Sequence, residues 1–132
     1  MSVAVKRTNS YVLGRQREYN LMTLLRGKGF FCIRGAGSKA GRVKTITGGV
    51  KHPIDIVAIK DGQAFFIQAS KYYSSIDKYE KKYLKRLAFQ YRARPLLAWI
   101  HEKPSVKNSP RGRWNFKDLG LHRKLKVGEL GK

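Results

Sequence analysis

The segment from Ile54 to Lys71, IDIVAIKDGQAFFIQASK, constrains the fold more than any other part of the chain. Asp61-Gly62 is a preferred two-residue loop of a β-hairpin, because both residues adopt positive φ at low cost. This loop predicts a register in which Asp55 faces Gln68. Directly opposed residues have Cβ atoms roughly 5 Å apart. Two oxygen-bearing side chains are therefore predicted at the open end of an apolar hairpin, where they can hold a metal ion.

The charge balance indicates what kind of partner this chain binds. The 132 residues are 42% hydrophobic, which predicts one globular domain over residues 1–132. The net charge of +21 far exceeds the charge of about 2–8 that solubility requires. Lysine and arginine neutralise phosphates, so nucleic acid is the favoured partner. The sequence has no long apolar run and no signal peptide, so we predict no membrane partner.

The cysteine content and the absence of certain motifs argue against disulfides and nucleotide cofactors. Cys32 is the only cysteine, which excludes an internal disulfide and favours the reducing cytoplasm. It lies in an apolar run, where a buried packing role is expected. The sequence lacks a phosphate-binding lysine-serine pair and a dinucleotide fingerprint in a strand-turn-helix setting, so we predict no nucleotide cofactor.

The hydrophobic pattern predicts an α/β fold with a mixed sheet of about five strands flanked by helices. A flexible basic arm is expected over residues 1–12 and a basic tail with weak helical character over residues 119–132. Ser75 is the expected N-cap of the second helix. The predicted helices span residues 15–28 and 76–92, and the predicted strands outside the hairpin span residues 30–34, 96–100 and 114–116.

Glu18 is the third oxygen-bearing side chain expected near the open end of the hairpin. It lies one helical turn before the apolar stripe of Leu21, Met22 and Leu25 and points to the same side. A carboxylate there is costly unless it is paired or coordinated. Two interpretations remain open, namely a salt bridge to a neighbouring arginine and ligation of a cation such as Mg²⁺, which prefers oxygen ligands.

Several stretches of the chain resemble one family of DNA enzymes. The segments that carry the likeness are residues 14–18, GRQRE, 29–34, GFFCIR, 36–39, AGSK, 54–57, IDIV, and 81–101. Together they resemble the archaeal-type Holliday junction resolvases of the PD-(D/E)xK superfamily, over roughly residues 14–118. The resemblance implies a restriction-endonuclease-like fold.

The resemblance also implies an activity and a set of site residues. Members of this family are dimeric endonucleases that cut four-way DNA junctions with Mg²⁺, for which Mn²⁺ can substitute. On this basis Glu18, Asp55 and Gln68 are expected to bind the metal, and Ser38 and Arg34 to contact the scissile backbone. The residues expected to bind DNA are Arg15, Arg17, Arg34, Lys39, Arg42 and Lys44.

The sequence departs from the family at its Glu-x-Lys motif, where it has Gln68-Ala69-Ser70 followed by Lys71. Lys71 can take the place of the family lysine only if a bulge turns it to the face of Gln68, because neighbouring residues of a strand point to opposite faces. Three hypotheses therefore stay open. They are a Mg²⁺-dependent resolvase acting as a homodimer, a junction-binding protein with a weakened site, and a nuclease that acts on other DNA structures.

Overall fold

Six strands form one mixed sheet in the part of the chain that the structure describes. This structure is a computed structural model, and it describes residues 2–35, 54–102, 114–126 and 129–130, with side chains from Leu13 onward. The strands lie side by side in the order in which they occur in the chain. Every neighbouring pair is antiparallel except the third and fourth strands, which are parallel. The predicted α/β fold with a mixed sheet is confirmed. The elements are α1 (Ser2–Gly27), β1 (Phe31–Arg34), β2 (Ile56–Lys60), β3 (Gln63–Tyr72), a 3-10 turn (Tyr73–Ser75), α2 (Lys78–Gln90), β4 (Arg94–His101), β5 (Asn115–Asp118) and β6 (Arg123–Leu125).

Helix α1 packs its C-terminal half against one face of the sheet. Leu21, Met22 and Leu25, the predicted apolar stripe, are at most 3% exposed and join Cys32 in the larger core cluster. The helix begins at Ser2, whereas the sequence pattern predicted a start at Arg15. Only the packed half carries an apolar stripe, so the pattern marked that half alone. No helix among the described residues is both long and apolar enough to span a membrane.

The hairpin forms with the predicted register. Lys60 pairs with Gln63, and the ladder continues to the pair of Ile56 and Ile67. Both loop residues have positive φ, 51° at Asp61 and 80° at Gly62. The second strand, β3, is 10 residues long and lies between β2 and β4, so it is hydrogen-bonded along both edges.

Helix α2 covers the opposite face of the sheet and begins later than predicted. Asp77, not Ser75, is its N-cap, and the Asp77 side chain accepts a hydrogen bond from the amide of Tyr79. Glu80 completes the capping box by accepting from the amide of Asp77. Ser75 belongs instead to the 3-10 turn, where its hydroxyl bonds to that of Ser70. This reciprocal pair of hydrogen bonds favours Asp77 as the N-cap.

The C-terminal segment adds a strand where the sequence predicted weak helical character. β6 pairs with the free edge of β5 and buries Leu125, and these gains outweigh the local helical preference. Asp118 is only 1% exposed and forms a salt bridge of 2.6 Å with Arg94. Its other oxygen accepts two main-chain amide hydrogen bonds. The buried carboxylate is thus paired and hydrogen-bonded, as burial of a charge requires.

Candidate active site

Asp55 lies where three strands meet, immediately before β2. Its amide donates to the carbonyl of Ile67 in β3 at 2.8 Å, and its carbonyl accepts from Gly35 at the end of β1 at 2.7 Å. The carboxylate oxygen Oδ2 accepts from the amide of Ala69 at 2.8 Å. The regular ladder therefore stops one residue short of the predicted Asp55–Gln68 pair, and Asp55 is held against the main chain on either side of Gln68.

Gly35 permits the close approach of β1 to this point. A Cβ atom on Gly35 would collide with the carbonyl oxygen of Ile54, so any other residue would push the two segments apart. The strand-end position of Asp55 thus depends on a glycine whose role is steric. The sequence alone does not reveal this role. Gly35 adjoins a glycine-rich stretch, and nothing in the sequence distinguishes a glycine that is required sterically from the others.

Glu18 reaches the same region from α1, and its partner is Arg34 of β1. Arg34 Nη2 lies 3.0 Å from Glu18 Oε1, and Arg34 Nε donates to the same oxygen at 3.1 Å. The arginine also lies over the ring of Tyr19, 5.3 Å from its centroid. Glu18 thus forms a salt bridge, as one of its two interpretations expected, but with Arg34 rather than with a neighbouring arginine on the helix. Ligation of a cation by Glu18 stays a prediction. Glu18 and Arg34 are both partly buried, so this pair is shielded from solvent more than a surface pair.

Gln68 is buried with an unsatisfied oxygen. The residue is 8% exposed, and its Oε1 has no hydrogen-bond partner within the described part of the chain. Strand alternation places Gln68 on the face covered by α2, because Ile67 lies in the core cluster beneath α1 and Phe66 packs against the cluster beneath α2. An unpaired buried amide oxygen costs about 1–3 kcal/mol, so this atom is poised to accept a ligand or a cation.

Ser70 and Lys71 do not take up the role of the family lysine in this structure. The Ser70 hydroxyl is occupied by hydrogen bonds to Ser75 and to the carbonyl of Tyr72. Ser70 pairs with Trp99 and Tyr72 with His101, so the strand advances by two residues on each side and contains no bulge there. Lys71 consequently points to the face opposite Gln68, and its Nζ lies 5.5 Å from the Tyr72 ring centroid.

The carboxyl of Asp55 is strongly perturbed. Burial raises its pKa to about 7, although the hydrogen bond from Ala69 opposes the change. The negative charges of Glu18 and Glu80 raise the pKa further, and Arg34 lowers it. Burial likewise raises the pKa of Glu18, and the hydrogen bond and charge of Arg34 offset part of that increase. A perturbed acid in contact with further charges is typical of functional sites.

Glu80 is the site residue that the sequence analysis missed. It is half-buried in the first turn of α2, and its charge acts on Asp55. A signal was available, since a glutamate three residues after an N-cap aspartate marks a capping box and fixes the glutamate near the helix N-terminus. The order of the chain then brings this turn next to the end of β3.

The remaining predicted residues fall into two groups. Arg15 is exposed and Arg17 half-buried on α1, where the charge of Arg17 lowers the pKa of Glu18. The predicted residues of the glycine-rich stretch lie outside the described residues, and they are Ser38, Lys39, Arg42 and Lys44.

The oxygen atoms present fit a hard cation that keeps several of its water ligands. Within the described residues, no three His, Cys, Asp or Glu side chains converge into a ready-made metal cage. Mg²⁺ does not require such a cage, because it binds through one or two carboxylates together with waters and substrate phosphates. Asp55 supplies a carboxylate and Gln68 an unpaired oxygen for that kind of site.

The raised pKa of Asp55 predicts a pH-dependent stability. Without metal, the folded protein keeps the Asp55 proton up to about pH 7, whereas the unfolded chain loses it near the ordinary value of 3.8. The free energy of unfolding should therefore fall between about pH 4 and pH 7, by on the order of 1 kcal/mol per pH unit from this group. Urea unfolding in EDTA across this range should show a smaller fall for Asp55→Asn. Equal slopes for the two proteins would contradict the assignment.

Removal of the Glu80 charge should lower the pKa of Asp55. Glu80→Gln keeps an oxygen for the capping hydrogen bond but removes the charge that raises this pKa. NMR titration of the Asp55 carboxyl carbon measures the shift. Glu102→Gln is the matched control, because Gln can also replace the acceptor for Trp99 Nε1 and Glu102 is not among the charges that raise this pKa. An equal effect of both substitutions would exclude a specific influence of Glu80.

Comparisons with known proteins agree with the fold described above. One solved structure, that of Archaeoglobus fulgidus Hjc, a Holliday junction resolvase from an archaeal hyperthermophile, matches with a TM-score of 0.57. The match covers 85% of this chain and 93% of that chain at 21% sequence identity, which establishes similarity of fold. No curated protein matches the sequence closely enough to count as a relative.

The family comparison is more specific. The sequence matches the family described as archaeal Holliday junction resolvase (Hjc) over residues 9–119. This range contains Glu18, Arg34, Asp55, Gln68 and Glu80, the residues discussed above for the candidate site. The chain therefore belongs to the archaeal Holliday junction resolvase family.

Proposed function

We propose that this protein binds four-way DNA junctions and cuts them by Mg²⁺-dependent phosphodiester hydrolysis, as a homodimer. The observation that carries the proposal is Asp55, whose partly buried carboxyl accepts a hydrogen bond from the amide of Ala69, in a chain of the resolvase family. The adjacent Gln68 adds a buried oxygen that has no hydrogen-bond partner among the described residues. The net charge of +21 suits a polyanionic substrate.

Asp55, Gln68 and Glu18 would hold the cation. A bound Mg²⁺ supplies positive charge that stabilises the negative charge developing on the phosphate during hydrolysis. Asp55 has to give up its proton to bind the cation, and its pKa of about 7 keeps that proton within reach near neutral pH. Cleavage should accordingly strengthen as the pH rises through this range.

Arg34 has a role on the substrate side of this proposal. It is held by Glu18 in the free protein, through two contacts to one carboxylate oxygen. With Glu18 engaged by a cation, the guanidinium of Arg34 would be free to pair with a phosphate of the scissile strand through two parallel hydrogen bonds. Glu18 thus keeps Arg34 in place until metal and DNA arrive together.

A junction-binding protein with slow cleavage is the second candidate. Gln68 brings no charge to the metal, Ser70 is engaged in local hydrogen bonds, and Lys71 lies on the far face of β3. Each of these features weakens catalysis more than it weakens DNA binding. The two candidates share the same fold and substrate and differ only in the rate of the chemical step.

The four-way junction assay separates these possibilities. The wild-type protein should nick a labelled junction symmetrically in Mg²⁺ but not in EDTA, and should leave a linear duplex of the same sequence uncut. Asp55→Asn should reduce cleavage by at least about 100-fold, because it removes charge from the metal and the transition state. Gln68→Glu should increase the affinity for Mn²⁺ about tenfold, measured calorimetrically without DNA, since a carboxylate binds hard cations better than an amide.

The outcomes assign the function. Tight binding of the junction without any product would identify a junction-binding protein that does not cleave. If only the Gln68→Glu variant cleaves, the loss of activity is due to the amide at position 68. Cleavage of the linear duplex would identify a nuclease for other DNA structures. Asp55→Asn cutting as fast as the parent protein would show that the site is elsewhere.

The homodimer is proposed to form through an apolar sheet face. This face consists of Phe31 and Ile33 of β1 with their cross-strand partners Ile59 and Val57 of β2. Phe31 is 63% exposed and Ile33 48%, and the charged residues of these strands point to the other side, where Lys60 lies over Phe30 and Arg34 meets Glu18. A face without cations is unsuited to DNA. It suits a second copy of this strongly basic chain, because two copies repel each other wherever charged surfaces meet.

Substitution on this face should produce monomers. Phe31→Glu should shift the protein from dimer to monomer in sedimentation equilibrium, because it places a charge in a dehydrated contact. Phe89→Glu is the control, since Phe89 is 87% exposed on α2 and lies outside the apolar sheet face. Monomers from Phe89→Glu and dimers from Phe31→Glu would instead assign the interface to α2.

A further inference from the structure

A group of lysines surrounds two aromatic residues on the α2 side of the sheet. We define this lysine–aromatic cluster as Tyr73, Lys81, Trp99, Lys117 and Lys124. Lys81 Nζ and Lys117 Nζ lie 3.3 Å and 3.4 Å from the Tyr73 hydroxyl. The two lysines come from different elements, α2 and β5, and converge on one oxygen atom.

The aromatic residues fix the geometry of the cluster. Trp99 is fully buried, and its ring lies 4.7 Å from that of Tyr73, centroid to centroid. Lys81 stands over the Tyr73 ring at 4.5 Å, and Lys124 over the Trp99 ring at 5.9 Å. The main chain adds a further constraint, because the amide of Ser74 donates to the carbonyl of Glu102. The Tyr73 ring is thus held in place by its packing against Trp99 and by the hydrogen-bonded main chain that follows it.

The positive charge of the cluster is uncompensated. All 8 acidic residues of the chain lie in the part that the structure describes, and there none forms an ion pair with Lys81, Lys117 or Lys124. Glu102 adjoins the cluster, but one of its carboxylate oxygens accepts from Trp99 Nε1 at 2.8 Å. Lys117 and Lys124 are direct cross-strand partners, an arrangement of like charges that destabilises a sheet.

The pKa of Tyr73 reflects the positive charge around its hydroxyl. Burial alone would raise the pKa of Tyr73, but the hydrogen bonds and charges of Lys81 and Lys117 outweigh this effect and lower the pKa below its ordinary value. Since both ammonium groups donate to the tyrosine oxygen, the hydroxyl proton is directed elsewhere. Two ammonium groups and one hydroxyl therefore present donors around the same point, which is the pattern that phosphate oxygens require.

The position of the cluster relates it to the candidate site. Tyr73 directly follows β3, which also carries Gln68, and the two residues are separated by roughly 16 Å of extended chain. A DNA strand rises about 3.4 Å per nucleotide, so a few nucleotides span this distance. Strand alternation places Gln68 on the α2 side of the sheet as well.

We propose that the lysine–aromatic cluster is a second phosphate-binding site, which takes a backbone phosphate of the DNA a few nucleotides away from the scissile bond. The proposal rests on the proposed junction binding but not on cleavage. The bound phosphate reduces the repulsion among the lysines and accepts a hydrogen bond from the Tyr73 hydroxyl. The cluster thereby positions a junction arm relative to Asp55.

The bound anion could be free phosphate or a phosphate of the DNA backbone, so the test uses inorganic phosphate and junction DNA as separate probes. In EDTA, which removes cleavage from the experiment, phosphate should shift the NMR resonances of the Tyr73 ring in the wild-type protein. The double variant Lys81→Met/Lys117→Met should lose this shift. Lys82→Met/Lys85→Met is the matched control, because it removes the same charge from exposed positions on α2 and should keep the shift.

Junction binding at several salt concentrations provides the second arm. Loss of one phosphate contact should reduce the slope of log K against log[salt] by about 1 in Lys81→Met/Lys117→Met compared with the control pair. Tyr73→Phe, which retains the ring, should weaken junction binding several-fold without this change in slope. Melting curves of each variant verify that it is folded.

The outcomes separate this proposal from the preceding one. A phosphate shift without any difference in junction binding between the two double variants would mean that the cluster binds free phosphate, and it would overturn the DNA assignment. No phosphate shift in the wild-type protein, together with equal salt slopes, would overturn the site altogether. Absence of cleavage in Mg²⁺ would bear on the active site only, since neither arm requires it.

Discussion

The hydrogen bonds of Asp55 connect three strands at one point, and the candidate site depends on them. The amide and carboxylate of Asp55 bind β3, while its carbonyl accepts from Gly35 at the end of β1. Here the same residue closes the end of the sheet and carries the carboxyl, so the stability of this corner and the chemistry of the site are linked.

The altered motif is electrostatically more conservative than it first appears. Replacement of the family Glu and Lys by Gln68 and Ser70 removes one negative and one positive charge, so the local net charge does not change. Loss of one partner alone would have left an uncompensated charge in a buried place, at a cost of about 3–5 kcal/mol. What remains at the site is a set of acids from three elements, Glu18, Asp55 and Glu80, with Arg34 as the cation that acts on Asp55.

The sequence predicted most of what depends on local pattern and little of what depends on distant contacts. The hairpin register and the buried stripe of α1 followed from turn chemistry and periodicity, and both are confirmed. Two salt bridges join residues that are far apart in the chain, namely Glu18–Arg34 and Arg94–Asp118. No periodic pattern in the sequence predicts such pairs. The six-stranded sheet differs from the expected five or so because β6 is stabilised by pairing with β5 rather than by its own composition.

The order of the sheet has a consequence for how the protein folds. Spatial order follows chain order from β1 to β6, so each strand pairs with its predecessor and the sheet can grow by successive addition. Such neighbour-to-neighbour topology favours rapid folding, because pairing between strands that follow each other in the chain lowers the contact order. The parallel pair β3–β4 is the exception, since it must wait for α2 to cross the sheet. We therefore expect the β3–α2–β4 unit to set the folding rate, and the residues flanking Gln68 and Glu80 to become ordered in that same step.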